Sequence, residues 1–178
     1  MDTTAHGVSH VGRRENNEDA YCIEPALGFY AVADGMGGYE GGEIASRLVI
    51  DTLVRSLNEE APIVKDRRGA VSRLDGAIRT AQTLVAKEAT GNLSDMGATL
   101  AAMWIRGRTA VIAHVGDSRV YRLRDGKLRQ LTRDHSLYQD LLAQGRHDVL
   151  HQLRGQIEHM VTRCIAADVA VEPEIQVD

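Results

Sequence analysis

Four acidic side chains stand where apolar runs begin or end: Glu18 and Asp19 in "RRENNEDAY", Asp34 in "VADGMGG" (32–38) and Asp117 in "HVGDSRV". Carboxylates gathered on loops beside strand ends suit a hard divalent cation, because Mg²⁺ and Mn²⁺ take oxygen ligands and keep part of their water shell. Asp34 is followed by three glycines in four residues, Gly35, Gly37 and Gly38. Main chain that bare can approach a partner closely or adopt positive φ, and the carbonyl of Gly35 can turn toward an ion. Glu18 and Asp19 are neighbours, so within a strand they would point to opposite faces; at most one meets an ion directly unless the strand has ended. Blander readings stand beside this one. An Asp-Gly after a strand is commonly a turn, Asp117 in "GDSR" can satisfy turn amides, and Arg14 can be a solvated surface charge.

The elements that must position these residues follow from periodicity. "GFYAVAD" (28–34) reads as a short buried strand ending at Asp34. From Gly41, Ala45, Leu48, Val49, Thr52 and Leu53 recur at helical spacing, which predicts a helix to about Leu57. Val71, Leu74, Ile78, Ala81 and Val85 form a second helical stripe, with "NEEAPIVKDRRG" as the polar connection between. After Asn92 the period falls to two. "GATLAAMWIRG" and "TAVIAHVG" read as strands turning near Gly107, and "SRVYRLRDGKLRQLT" as a hairpin closed by Asp125-Gly126. "DHSLYQDLLAQG" predicts a helix capped by Asp134 or Ser136 and stopped at Gly145. Residues 146–170 carry no clear period, and "AVEPEIQVD" opens one more strand. The order implies an α+β fold with a largely antiparallel sheet.

Composition narrows the function classes. The 178 residues fit one domain; hydrophobic residues make up 43% and charged residues 26%, and the net charge of −4 gives no field for nucleic acid or anionic membrane. No apolar stretch is long enough to span a bilayer and "MDTTAHGVSH" lacks a secretory layout, so a cytoplasmic protein is expected. Cys22 and Cys164 form no CxxC and read as reduced core thiols. Gly35 and Gly37 do not make a dinucleotide loop, since GxGxxG would need glycine where Glu40 stands, and no GxxxxGK occurs. His147 and His151, at i,i+4, and His159 raise a zinc reading, but without HExxH they are expected on an exposed surface.

Taken together, "RENNED" (14–19), "VADGMGG" (32–38), "MGATL" (96–100), "HVGDSRVYRLRDGKLRQLTRDHS" (114–136) and a degraded "VTRCIA" (161–166) resemble, in order, the bacterial metal-dependent protein serine/threonine phosphatases (PPM, or type 2C). The resemblance implies one domain over 1–178, a four-layer αββα sandwich of two antiparallel sheets, with a flap-like segment at 137–160. It implies hydrolysis of phosphoserine and phosphothreonine by a water activated between two Mn²⁺ or Mg²⁺ ions, on proteins phosphorylated by a cognate kinase, with no nucleic-acid or membrane partner. Asp34 matches the acid bridging both ions and Gly35 a carbonyl ligand. Glu18 matches an acid serving the same ion as Gly35, Asp19 one near the activated water, and Arg14 the arginine gripping phosphate. Asp117 matches an acid that some bacterial relatives use for a third, weaker ion.

Two departures shape the expectation. Met36 stands where some relatives have histidine, so water is expected to protonate the leaving group. The chain ends at Asp178, before two later aspartate motifs of the family, so the expected activity is feeble or nil. A regulatory module that binds phosphoprotein without turnover is the alternative.

Overall fold

The computed structural model describes residues 3–37, 41–59, 66–153 and 155–178. Gly38 and part of the expected polar connection, 60–65, lie outside the described residues. The elements are β1 (Asp19–Glu24), β2 (Phe29–Met36), α1 (Gly41–Asn58), α2 (Arg67–Glu88), β3 (Gly97–Ala98), β4 (Leu100–Arg106), β5 (Thr109–Val115), β6 (Tyr121–Arg124), β7 (Lys127–Gln130), α3 (Leu137–Ala143), α4 (His147–Gln152), β8 (Ile165–Ala166) and β9 (Glu174–Val177).

Seven strands form one antiparallel sheet in the order β8-β3-β2-β4-β5-β9, with β1 also paired to β2, and β6-β7 forms a second, two-stranded sheet. Alternation divides the large sheet cleanly. Phe29, Ala31 and Ala33 of β2, Leu100, Ala102 and Trp104 of β4, and Val111, Ala113 and Val115 of β5 are all buried and share the face on which α1 and α2 pack. The helices supply the matching stripes: Ala45, Val49, Leu53 and Leu57 from α1, and Leu74, Ile78, Ala81 and Val85 from α2. Both helices are therefore amphipathic packing elements, and α2 is started by Asp66, whose carboxylate accepts from the Gly69 amide at 2.8 Å.

The other face carries Asp34 and His114 among apolar side chains, of which Ala101 and Ile112 are also buried. Strand β2 runs past Asp34 to Met36, two residues further than its apolar run suggests, because β3 pairs with Gly35 and Met36. The "GATLAAMWIRG" strand is divided at Thr99. Its register on β2 carries through from Val32↔Ala101 to Gly35↔Ala98, which puts Thr99 opposite Asp34. There the sheet forks: β3 pairs onward with β8 and β4 with β5.

The Asp125-Gly126 turn has φ of 51° and 71°, the left-handed pair that a two-residue hairpin requires. Ser136 caps α3, accepting from the Gln139 amide. The unpatterned stretch after Gly145 contains α4 and the two-residue β8, both too short to leave a period. Residues 137–160 form an excursion closed at its base, where Leu137 N–H donates to Met160 O at 2.9 Å and Thr162 N–H to His135 O at 2.9 Å. Cys22 and Cys164 are free but half-buried rather than enclosed in the core. No helix among the described residues is long and apolar enough to cross a membrane.

Candidate functional site

The row across the outer face at the sheet fork is Asp19, Asp34, Thr99. Asp19 lies directly opposite Asp34 in the β1–β2 pairing, so both carboxylates stand on one face, a few ångströms apart by strand geometry. On the other side Thr99 grips Asp34 twice: its N–H donates to Asp34 O at 2.9 Å and its hydroxyl accepts from Asp34 N–H at 3.0 Å. A side chain thus replaces one rung of the ladder, and Thr99 is 1% exposed.

Glu18 sits one residue before β1, so the opposite-face constraint on neighbours does not bind. Its backbone carbonyl accepts from Gly35 N–H at 3.0 Å, and its carboxylate meets the Arg14 guanidinium at 3.2 Å. The glycines explain how β2, Glu18 and the start of α1 come so close. A Cβ on Gly35 would lie 1.9 Å from the Gly42 carbonyl oxygen, and one on Gly42 would lie 2.7 Å from Glu18 Oε1. Gly37 has φ of 130° with Met96 Cα pressed against it.

Burial pushes the Asp34 carboxyl above its ordinary value, and the negative charges of Asp19, Asp117 and Glu18 push it further, with Arg14 opposing. All the charged residues singled out in the sequence therefore act on one carboxylate. A cavity of about 220 Å³ opens over the pair, lined by Ser9, Asp19, Tyr21, Val32, Asp34 and Ser118. A much larger hollow of about 960 Å³, at Ile105, Thr109, Ala110 and Arg124, lies at the far end of β4 and β5 and holds none of these acids.

Asp117 rides on a tight turn. Gly116 has φ of 97°, and a Cβ there would lie 2.6 Å from Thr99 Cγ2. Ser118 Oγ is 2.7 Å from Thr99 Oγ1. Gly116 N–H donates to His135 Nδ1 at 3.1 Å and its carbonyl accepts from His135 N–H at 2.9 Å. Thr99, Ser118 and His135 are the residues that sequence reasoning passed over. Each sits inside a motif already quoted; Thr99 carried a signal, a polar side chain in an otherwise apolar run, whereas Ser118 and His135 lie in polar stretches that mark neither. His147, His151 and His159 are exposed and take no part in this site.

The donor set suits a hard cation: crowded carboxylates, no thiolate and no imidazole among the acids that act on Asp34. Comparison with known proteins decides the family. Residues 6–158 match the family model for Protein phosphatase 2C, and 135 residues are 40% identical to the serine/threonine protein phosphatase PstP of Mycobacterium tuberculosis, covering 75% of this chain and 25% of that protein.

The chain belongs to the protein phosphatase 2C family.

Solved structures agree. The serine/threonine phosphatase of S. agalactiae superposes with a TM-score of 0.83 at 29% identity, over 93% of this chain and 69% of that one. The catalytic domain of PstP in complex with two manganese ions superposes with a TM-score of 0.75 at 35% identity, over 93% of this chain and 66% of that one. The mixed fold of helices flanking two antiparallel sheets is the phosphatase 2C architecture, as the sequence motifs imply. The chain spans about a quarter of the length of the mycobacterial PstP sequence it matches.

Proposed function

We propose that this chain is catalytic machinery of a metal-dependent protein serine/threonine phosphatase, acting in the cytoplasm on proteins phosphorylated by a cognate serine/threonine kinase. The observation that carries this reading is the convergence on Asp34: Asp19 across the strand, Glu18, Asp117 and Arg14 all acting on one half-buried carboxylate. Support comes from the relatives, which are phosphatases by name, one of them solved with two manganese ions.

Asp34, Glu18, Asp19, Asp117 and the Gly35 carbonyl are the groups that would hold Mn²⁺ or Mg²⁺. When bound, such ions neutralise phosphoryl charge and acidify water. Everything else falls to the chain's own residues. Arg14 is two-thirds exposed and uses one face on Glu18, which leaves guanidinium donors to take phosphate oxygens in a fork. Glu18, held through its backbone by Gly35, fixes where that fork points. Asp19, exposed at the start of β1, would orient attacking water. Met36 offers no proton, so solvent protonates the leaving alkoxide. The excursion 137–160, pinned beside His135, flanks the approaching phosphoprotein.

The test is hydrolysis of p-nitrophenyl phosphate and of a phosphothreonine peptide with and without Mn²⁺. Turnover that depends on Mn²⁺ and is lost in Asp34→Asn supports the reading. Mn²⁺ binding and phosphopeptide binding without turnover would favour the regulatory alternative.

A further inference from the structure

Among the described residues, His114, His135 and Glu174 bring nitrogen and carboxylate atoms within 4.8 Å of one another, and none of the three is among the acids that act on Asp34. The sheet builds this cluster. Register places His114 opposite Ala101 on β4 and Glu174 on β9, and the rings of His114 and His135 stack with centroids 4.6 Å apart. The hydrogen bonds already in place decide what the cluster does. His135 Nδ1 accepts from Gly116 N–H, so in the neutral ring the proton is on Nε2, which lies 3.2 Å from Glu174 Oε1 but outside hydrogen-bonding geometry. His114 Nε2 lies 2.7 Å from the Arg133 carbonyl, an acceptor only, so it also carries its proton. A cation on His135 Nε2 would need the proton moved to Nδ1, where the Gly116 amide already points. What the geometry does establish for His135 is its pair of hydrogen bonds to Gly116.

We infer that His135 is a positioning residue for Asp117: its unprotonated Nδ1 and its backbone N–H hold both polar groups of Gly116, while the Thr99 hydroxyl holds Ser118, so the turn bearing Asp117 is clamped on both sides. This rests on the proposed metal-dependent function, in which Asp117 is an ion ligand. His135 is 4% exposed, faces Glu174 and Arg163 on its outer side, with Arg163 3.7 Å from Glu174, and contacts none of the acids around Asp34. Thr99 joins the two halves, since the hydroxyl that holds Ser118 also accepts from Asp34 N–H. Asp34 and Asp117 are thereby set at a fixed separation by neutral groups.

The experiment compares His135→Leu, which deletes the acceptor, with His135→Asn, whose Oδ1 can stand in for Nδ1. Two readouts are followed: amide hydrogen exchange at Gly116, without metal, and the Mn²⁺ concentration for half-maximal hydrolysis. His135→Leu is expected to lose Gly116 protection and to raise the Mn²⁺ requirement by about tenfold, the usual scale for groups that orient metal ligands, with the loss recovered at saturating Mn²⁺. His135→Asn should restore both. In an Asp117→Ala background, His135→Leu should add no further Mn²⁺ requirement. Ser118→Ala, a milder change that tests the other side of the clamp, should raise the requirement severalfold. Unchanged Gly116 exchange in His135→Leu, no rescue by Asn, or full additivity with Asp117→Ala would overturn the inference. Absence of any Mn²⁺ response in the wild type would instead overturn the phosphatase reading, leaving the exchange readout to judge the clamp.

Discussion

Asp34 is held where electrostatics alone would not place it. It is half-buried and directly opposite Asp19, and like charges in that position cost about 0.2–1 kcal/mol. Asp34→Asn is therefore expected to raise the melting temperature of the metal-free protein, by up to about 3 °C for a chain of this size, while removing its response to Mn²⁺. The sign of the pH dependence follows. A carboxyl whose folded value is raised costs stability in full above that value, and the cost fades as pH falls from there to the unfolded value, so the difference between variant and wild type should shrink on acidification. Thermal scans at several pH values with chelator present check this; a wild type equal to or more stable than the variant at neutral pH would contradict it. Cys22 makes a second expectation at this scale. Burial, the largest influence, pushes its thiol up to about 11, so it should alkylate far more slowly at pH 7.5 in the folded protein than in urea.

At the scale of elements, the segment from β6 to α3 holds the most informative contacts. Arg119 forks onto Asp134, with Nε 2.8 Å from Oδ1 and Nη2 2.5 Å from Oδ2, and Asp134 is 8% exposed. This pair ties the start of the β6–β7 hairpin to the segment between β7 and α3 that carries His135. Arg119→Ala would leave a buried carboxylate supported only by Gln130 and should cost about 2–3 kcal/mol in urea unfolding; a loss below 0.5 kcal/mol on that scale would show the pair to be ordinary surface decoration. The same segment shows what a sequence can convey. The hairpin was legible because Asp125-Gly126 is a local signal, and α1 and α2 because their stripes span many turns. The division of a strand at Thr99 was not, since it depends on β8 arriving from 66 residues later to claim β3. The carboxylates of the site were legible because each sits inside a short motif. Their supports were not: His135 reaches Gly116 across a hairpin, and Glu174 reaches His135 from the last strand, so neither contact leaves a local trace.

Over the whole molecule, stability and function meet in the buried neutral histidine. Burial, then the neighbouring His114, lowers the His135 value below its ordinary 6.5, with Glu174 opposing. A histidine lowered on folding contributes stability that is fully present above 6.5 and is lost as pH falls from there to the folded value. The denaturation midpoint of the wild type should therefore drop on acidification below pH 6.5, and that of His135→Asn should drop less; parallel curves would contradict the assignment of a neutral buried ring. The central claim concerns the other end of the network, the convergence of acids on Asp34. Equilibrium Mn²⁺ binding, followed by the loss of the free-ion electron paramagnetic resonance signal, tests it most directly. The wild type should bind Mn²⁺ and Asp34→Asn should lose at least about tenfold in affinity; equal binding by the two proteins would contradict the account.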